Sequence, residues 1–418
     1  MKRLKNLPHV AANGLLDRRL FLKTGGMSGF ALFTAKVTSQ EREKWSLNPG
    51  VGMGEYGSPS QYESHIKRSF GSRLGTTGSG ASRTPIQHLD GMITPSRLHF
   101  ERHHSGIPDI NPDQHKLIIY GLVDRPLMFT LDALARYPTV SRIQFLECSG
   151  NSGTQAILPE PRQGSVSDLH GLISCSEWGG ILLSTLLEET GLKKNAKWII
   201  AGGSDSAMMS RSIPIEKALD DAMIALYQNG ERIRPSNGYP MRLFLPGWEG
   251  NASVKWLTSL KVTSSPAMTK DETSKYSDTL DTGISELFTF PMGVKSLITS
   301  PSPGLNLHEK GIYQISGIAW SGVGKIKNVE ISTDSGKTWA KSALDQHVLP
   351  KALTRFRSAW KWDGSPTTIM SRATDESGEI QPIREVWKVG RAANSYYHYN
   401  AIQAWSIDEA GESSNVYV

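Results

Sequence analysis

The chain has 418 residues, of which 38% are hydrophobic and 21% charged, with a formal net charge of +6. The first 44 residues hold nine Lys or Arg against three Asp or Glu, which equals the charge of the whole chain, so the remainder is near neutral and carries no basic footprint for nucleic acid. Two cysteines exclude a four-cysteine zinc site or an iron–sulfur cluster built from this chain alone.

At the amino terminus, Asp17-Arg18-Arg19-Leu20-Phe21-Leu22-Lys23 precedes a short, weakly apolar segment broken by Gly25, Gly26 and Gly29. Glycines oppose a stable first helix, and the paired arginines read as a twin-arginine export signal over residues 1–44, which predicts a periplasmic protein. No run reaches the ~18 apolar residues of a membrane span. Residues 45–95 are rich in Gly, Ser and Pro without a sustained period and read as an extended arm.

From Lys116 the texture changes. Leu117 to Val123 reads as a strand, Arg125-Pro126 as a turn, and Thr130 as the cap of a short helix running through Arg136. A second strand, Arg142 to Glu147, delivers Cys148 into the turn Ser149-Gly150-Asn151. A thiolate at a strand-to-loop edge can bind a metal; it can equally be a buried thiol, or half of a disulfide with Cys175. Leu182 to Thr190 followed by Gly191 reads as a helix with a glycine stop, and Trp198 to Ala201 as a buried strand. Met223 to Gln228, Met241 to Leu245 and Val254 to Val262 read as further strands, with a turn at Asn229-Gly230. The pattern over residues 96–290 is that of an α+β domain. After Pro291 it becomes almost purely β, alternating in Ile312 to Ile318 and Val329 to Ser332, which predicts a β-sandwich over residues 291–410.

Three groups of residues carry possible chemistry. His99, Glu101, His103 and His104 are good zinc ligand types, but no H-E-x-x-H or P-C-x-x-C accompanies them. Donors to a phosphate or another oxygen-rich ligand fit better, with Arg102 as a bidentate fork. Arg242 lies inside the apolar run Tyr239-Pro240-Met241-Arg242-Leu243-Phe244-Leu245, and Lys255 sits in Ser253-Val254-Lys255-Trp256. A buried cation needs an anionic partner, which is either a structural Asp or Glu or a bound ligand.

In combination, Phe100-Glu101-Arg102-His103-His104, Cys148-Ser149-Gly150-Asn151, Gly171-Leu172-Ile173-Ser174 with Trp178, Ser212-Ile213-Pro214, Gly238-Tyr239-Pro240-Met241-Arg242, Ser253-Val254-Lys255-Trp256 and Lys275-Tyr276 resemble the sulfite oxidase family of molybdenum enzymes. The resemblance runs from about Phe100 to Trp405. It implies a molybdopterin-binding domain followed by an immunoglobulin-like dimerisation sandwich. It further implies a molybdenum–molybdopterin cofactor with Cys148 as the protein thiolate on the metal. His104, Asp205, Ser212, Arg242, Ser253 and Lys255 match pterin-binding positions, and Asn237 stands where a histidine is common. Tyr276 matches the tyrosine that faces the metal, and Arg102, Trp178 and Arg391 match residues lining the substrate pocket.

Members acting on free sulfite follow C-x-G-N with arginines, where this chain has Ser152 and Gly153. Losing a guanidinium there is expected to weaken the hold on a small dianion and to open space. Within the family, that turn and the tail Asn394 to Trp405 resemble most the catalytic subunit of the sulfane dehydrogenases of bacterial thiosulfate oxidation. The activity so implied is oxygen-atom transfer to sulfane sulfur on a cysteine of a carrier protein. With no C-x-x-C-H haem site in the chain, a c-type cytochrome subunit is the implied electron acceptor, and a homodimer or heterotetramer the implied assembly. Sulfite dehydrogenase or sulfoxide reductase is the alternative within the family. Outside it, the alternative is a cofactor-free secreted binding protein.

Overall fold

The computed structural model describes Leu15, residues 47–72 and residues 77–418. The twin-arginine segment, Leu15 apart, lies outside the described residues. Three short strands, Ser69–Ser72, Gly80–Arg83 and Glu101–His103, pair antiparallel into a small sheet, so the glycine-rich arm supplies two of the strands that hold the Arg102 segment.

Two sheets follow, the first mixed and the second antiparallel. In the first, Leu117–Gly121 sits between Leu127–Phe129 and Leu257–Thr263, with Trp198–Gly203 and Ser210–Pro214 beyond. The pairing of Leu117–Gly121 with Leu257–Thr263 is parallel, and the other pairings in that sheet are antiparallel. In the second, Val140–Glu147 and Ile173–Leu182 pair antiparallel from Val140↔Gly180 to Glu147↔Ile173, and Met223–Gln228 extends the sheet to Arg242–Phe244. Leu117, Ile119, Ile199, Ile213, Leu243 and Leu260 close the core of this unit. Each such side chain contributes roughly 1.5–3 kcal/mol by leaving water.

Thr130 caps the helix Leu131–Leu134 by accepting from the Ala133 amide, and Gly191 ends the helix Leu183–Thr190 with φ +68°. The strand expected from Val254 begins only at Leu257, because Trp256 takes φ +52°, a left-handed backbone that a strand cannot contain.

The second domain opens with Lys295–Ser300. A four-stranded sheet (Lys295–Ser300, Gly311–Trp320, Thr354–Trp362, Ala343–Leu344) faces a five-stranded one (Ala340–Lys341, Ile326–Ser332, Thr367–Asp375, Ala404–Ile407, Ser413–Val416). The two inner faces meet through Ile315, Ile318, Val329, Phe356, Ile369 and Trp405. That core is continuous with Phe145, Ile173 and Cys175 of the first domain, so the strands that carry Cys148 are packed from behind by the sandwich.

Candidate functional site

Cys148 leaves the end of Val140–Glu147 with its amide bound to the Leu172 carbonyl at 3.0 Å. The turn closes where the Asn151 amide donates to the Cys148 carbonyl (2.8 Å), and the Asn151 side chain donates to Glu147 Oε1 (2.9 Å) while accepting from the Leu172 amide (3.1 Å). Cys175 lies opposite Phe145 in the register, fully buried, with its thiol pushed up to about 12 by burial. Both cysteines are free, so the disulfide reading fails: the register separates them along the ladder.

The thiol opens into a cleft enclosing about 690 Å³ of empty space counted to its mouth. Arg102, His104, Cys148, Asp205, Asn237, Arg242, Ser253, Lys255 and Tyr276, nine residues from distant segments, line it together. Among the described residues no three His, Cys, Asp or Glu come together as a metal-ligand set, and His99, Glu101, His103 and His104 do not converge as one.

Arg242 is buried and, among the described residues, touches no carboxylate. Its Nη atoms donate to the carbonyls of Asn237 (3.0 Å) and Ser253 (2.7 Å), its guanidinium lies 5.2 Å from the Trp178 ring centre, and its Nε has no partner. Burial pulls its pKa down to about 9. Lys255 is half-buried at the cleft wall, and desolvation drives its ammonium well below the ordinary lysine range. It donates to the carbonyls of Arg102 and Ser236 and to His103 Nδ1 at 2.8 Å, and reaches Glu101 only through the His103 Nε2 contact of 3.2 Å.

Other lining groups are held in fixed protonation states. His104, held down to about 3 by burial and by Arg102, Lys275, Lys270 and Lys255, is neutral at pH 7. Its Nδ1 lies 3.5 Å from the Lys275 ammonium and therefore accepts, which places the ring hydrogen on Nε2, donating to Tyr276 Oη at 2.7 Å. The Tyr276 hydroxyl hydrogen is then left to point elsewhere, and burial raises its pKa well above 10. Asp205 Oδ1 accepts from the Met209 amide (3.1 Å), Ser253 Oγ accepts from the Leu245 amide (3.0 Å), and Asn237 Nδ2 donates to Gln228 Oε1 (3.0 Å).

Three expected site residues lie elsewhere. Trp178 is fully buried behind the cleft, stacked on Phe244 at 4.7 Å beneath Arg242, on the strand face opposite exposed Glu177. Ser212 does not line the cleft: its hydroxyl is turned to the backbone of Ala267, accepting from the amide at 3.0 Å. Arg391 is paired with Asp278 at 3.1 Å and lies 4.5 Å from the Trp387 ring centre, outside the lining.

The opening expected at Ser152 and Gly153 is absent. Ser152 adopts φ +64° and turns its hydroxyl inward to His170 Nδ1 (2.7 Å) and Lys295 Nζ (2.8 Å). A Cβ on Gly153 would lie 2.5 Å from the Tyr396 carbonyl and 2.7 Å from its ring, so Tyr396 fills that space. Arg211 is a site residue that motif reading missed. Fully buried, it binds Glu249 (2.9 Å) and Glu272 (3.0 Å) and places its guanidinium 5.1 Å from the centre of the Tyr276 ring. Arg211 lies between two serines in the strand Ser210–Pro214, so it lacks the apolar flanks that singled out Arg242.

Residues 104–270 match the model of the oxidoreductase molybdopterin binding domain, and residues 287–404 match that of the Mo-co oxidoreductase dimerisation domain. The chain is similar to the NADH nitrate reductase of Ulva prolifera, 29% identical over 77% of this chain and 42% of that protein. It is also similar to the mitochondrial sulfite oxidase of Drosophila melanogaster, 29% identical over 73% and 58%. It thus spans about half the length of these curated relatives. The solved structure of sulfane dehydrogenase SoxCD from Paracoccus pantotrophus superposes with a TM-score of 0.88 at 41% identity, covering 90% of this chain and 98% of that one.

The chain belongs to the sulfite oxidase family. It is a molybdopterin-dependent oxidoreductase, and the cofactor of the family is molybdenum–molybdopterin. The cleft fits such a group on its own chemistry. Molybdopterin brings a phosphate and a polar heterocycle, while the cleft offers two desolvated cations without carboxylates, the orphaned Arg242 Nε, and the orphaned Nε2 of His99. An unpaired buried cation is costly until an anion arrives.

Proposed function

We propose that this chain oxidises sulfane sulfur, carried as a persulfide on a cysteine of a partner protein, and hands the electrons to a c-type cytochrome. When bound, the molybdenum cofactor supplies two-electron oxygen-atom transfer between water and sulfur. The balance is one new S–O bond on the terminal sulfur, two water O–H bonds broken, two protons released and two electrons passed on.

The chain's own residues hold and orient. Arg242 and Lys255 neutralise the anionic part of the cofactor, while His104, Ser253, Asp205 and Asn237 border its polar parts. Cys148 is the thiolate ligand; burial raises its thiol pKa, so metal binding must displace a proton. The Tyr276 hydroxyl, freed by the His104 tautomer, donates a hydrogen bond to oxygen that gains negative charge, and Arg102 adds its guanidinium at the same wall. Arg391 acts from outside, by fixing Asp278.

The single observation that carries the choice of substrate is the turn after Cys148. It presents no guanidinium to the cleft and is covered by Tyr396, whereas a small dianion such as sulfite calls for bidentate arginine contacts. The similarity to a sulfane dehydrogenase over nearly the whole chain supports the same choice. Export through the twin-arginine segment to the periplasm and assembly through the carboxy-terminal sandwich complete the proposal. The test is steady-state cytochrome c reduction by the holoenzyme on a persulfidated carrier, on sulfite and, in the reverse sense, on a sulfoxide. Persulfide turnover with kcat/KM at least about tenfold above that for sulfite is expected, the scale of one lost charge-assisted contact. Sulfite turnover equal to or better than persulfide turnover contradicts it.

A further inference from the structure

We propose that Tyr396 and Tyr397 form the wall that selects a sulfur chain over a sulfur oxyanion, a proposal that rests on the substrate class above and assigns its recognition to named residues. Three aromatic rings run in a row from the cleft over the metal-ligand turn. Tyr276 lines the cleft, Tyr397 follows with ring centres 5.6 Å apart, and Tyr396 lies 4.2 Å beyond. The Cys148 turn is cut to receive the last two. A Cβ on Gly150 would sit 3.4 Å from Tyr396 and 4.0 Å from Tyr397, and Gly153 has no room for one at all. Gly153 therefore leaves space that Tyr396 occupies, while at Gly150 the two rings come to ordinary contact distance.

The row is fixed from below. Asp278 Oδ1 accepts from the amides of Tyr396 (3.1 Å) and Tyr397 (3.4 Å), while its Oδ2 holds Arg391. Asp278 stands two residues after Tyr276, so one carboxylate sets the spacing of all three rings. The next residue ties the segment to the metal-ligand turn directly: the His398 amide donates to the Ser149 carbonyl at 2.8 Å, and its Nε2 lies 3.3 Å from Glu249.

The chemistry of such a wall discriminates. Aromatic faces carry negative charge density, so a strongly hydrated dianion loses water there and gains no partner. A polarizable divalent sulfur gains a contact with each ring. Lys295, the basic group beneath Ser152, is buried and committed to Glu147, so it offers the oxyanion no contact beside the two tyrosines. A persulfide end is thus drawn past Tyr396 and Tyr397 toward Cys148, and sulfite is not.

The experiment uses the holoenzyme and its Tyr397→Leu, Tyr396→Leu and Tyr397→Arg variants, with cysteine persulfide and sulfite as probes. The readout is the ratio of their kcat/KM values, which does not depend on the fraction of protein loaded with cofactor or lost to misfolding. The ratio is expected to fall about tenfold in each leucine variant, through KM for the persulfide, and further in Tyr397→Arg as KM for sulfite drops. A ratio within about twofold of wild type in all three overturns the wall while leaving the substrate reading intact. Wild-type enzyme without persulfide turnover overturns the substrate reading, and the wall with it. Should Tyr396→Leu disturb the turn that Gly153 packs against, Tyr397→Leu, which lies farther from Gly153, still decides.

Discussion

Four desolvated cations surround the Cys148 turn, and they fall into two pairs. Arg211 meets Glu249 and Glu272, and Lys295 lies 3.5 Å from Glu147 while donating to Ser152 and the Tyr399 carbonyl. Arg242 and Lys255 meet carbonyls, rings and a neutral histidine, but no carboxylate. The first pair has its counter-charge within the chain and ties segments together: Glu147 also accepts from Trp320 of the sandwich at 2.7 Å, and Glu249, whose pKa burial raises but Arg211 and His398 bring down to about 2, reaches the tail through His398. The second pair is complete only with an anion from outside. Burial alone does not mark a binding site; burial of a charge without its counter-charge does.

That contrast can be broken at several points. The largest effect is expected at the ligand itself: Cys148→Ser holoenzyme should lose turnover to below about a thousandth of wild type, the scale seen when a member of a concerted catalytic unit is removed, with its fold kept, as cytochrome c reduction and thermal melting will show. Lys295→Met leaves Glu147 buried and unpaired, so the cofactor-free protein should lose about 3–5 kcal/mol in chemical denaturation. Arg211→Met should do the same through Glu249.

A smaller effect follows from His99, buried, with Nδ1 donating to the Phe100 carbonyl at 2.8 Å and its pKa lowered by burial to about 3. A histidine whose folded value is depressed binds its proton more readily when unfolded. Its contribution is therefore whole above the unfolded value of about 6.5 and is lost as the pH falls toward 3. Denaturation followed across that window should show a shallower loss in His99→Phe than in wild type. Gly153→Ala should cost least, about 1–3 kcal/mol, by pressing a methyl against Tyr396.

Much of this contrast was legible in the residues, and the part that was not has a physical cause. An arginine in an apolar run and a cysteine leaving a strand are local signals, and Arg242, Lys255 and Cys148 do meet in one cleft. Arg211, flanked by Ser210 and Ser212, lacks that apolar setting and stands just before the quoted Ser212-Ile213-Pro214 rather than inside it. Trp178 was expected in the substrate pocket from the family resemblance alone, and the strand's own alternation beside exposed Glu177 is what turns it into the core against Phe244. The space beside Ser152 and Gly153 was expected to be open because its occupant, Tyr396, comes from the far end of the chain. No spacing rule links residues that only the packed sandwich brings together. Arg391 pairs with Asp278 for a similar reason: which carboxylate a distant arginine meets is decided by tertiary contact.

The most direct measurement compares Lys255→Met with Lys295→Met, two lysines of opposite pairing, in molybdenum and pterin content per chain and in the melting temperature of the cofactor-free protein. The account predicts that Lys255→Met loses cofactor while melting no lower than wild type, and that Lys295→Met melts several degrees lower. Lys255→Met protein that keeps its full cofactor content but unfolds early would contradict it.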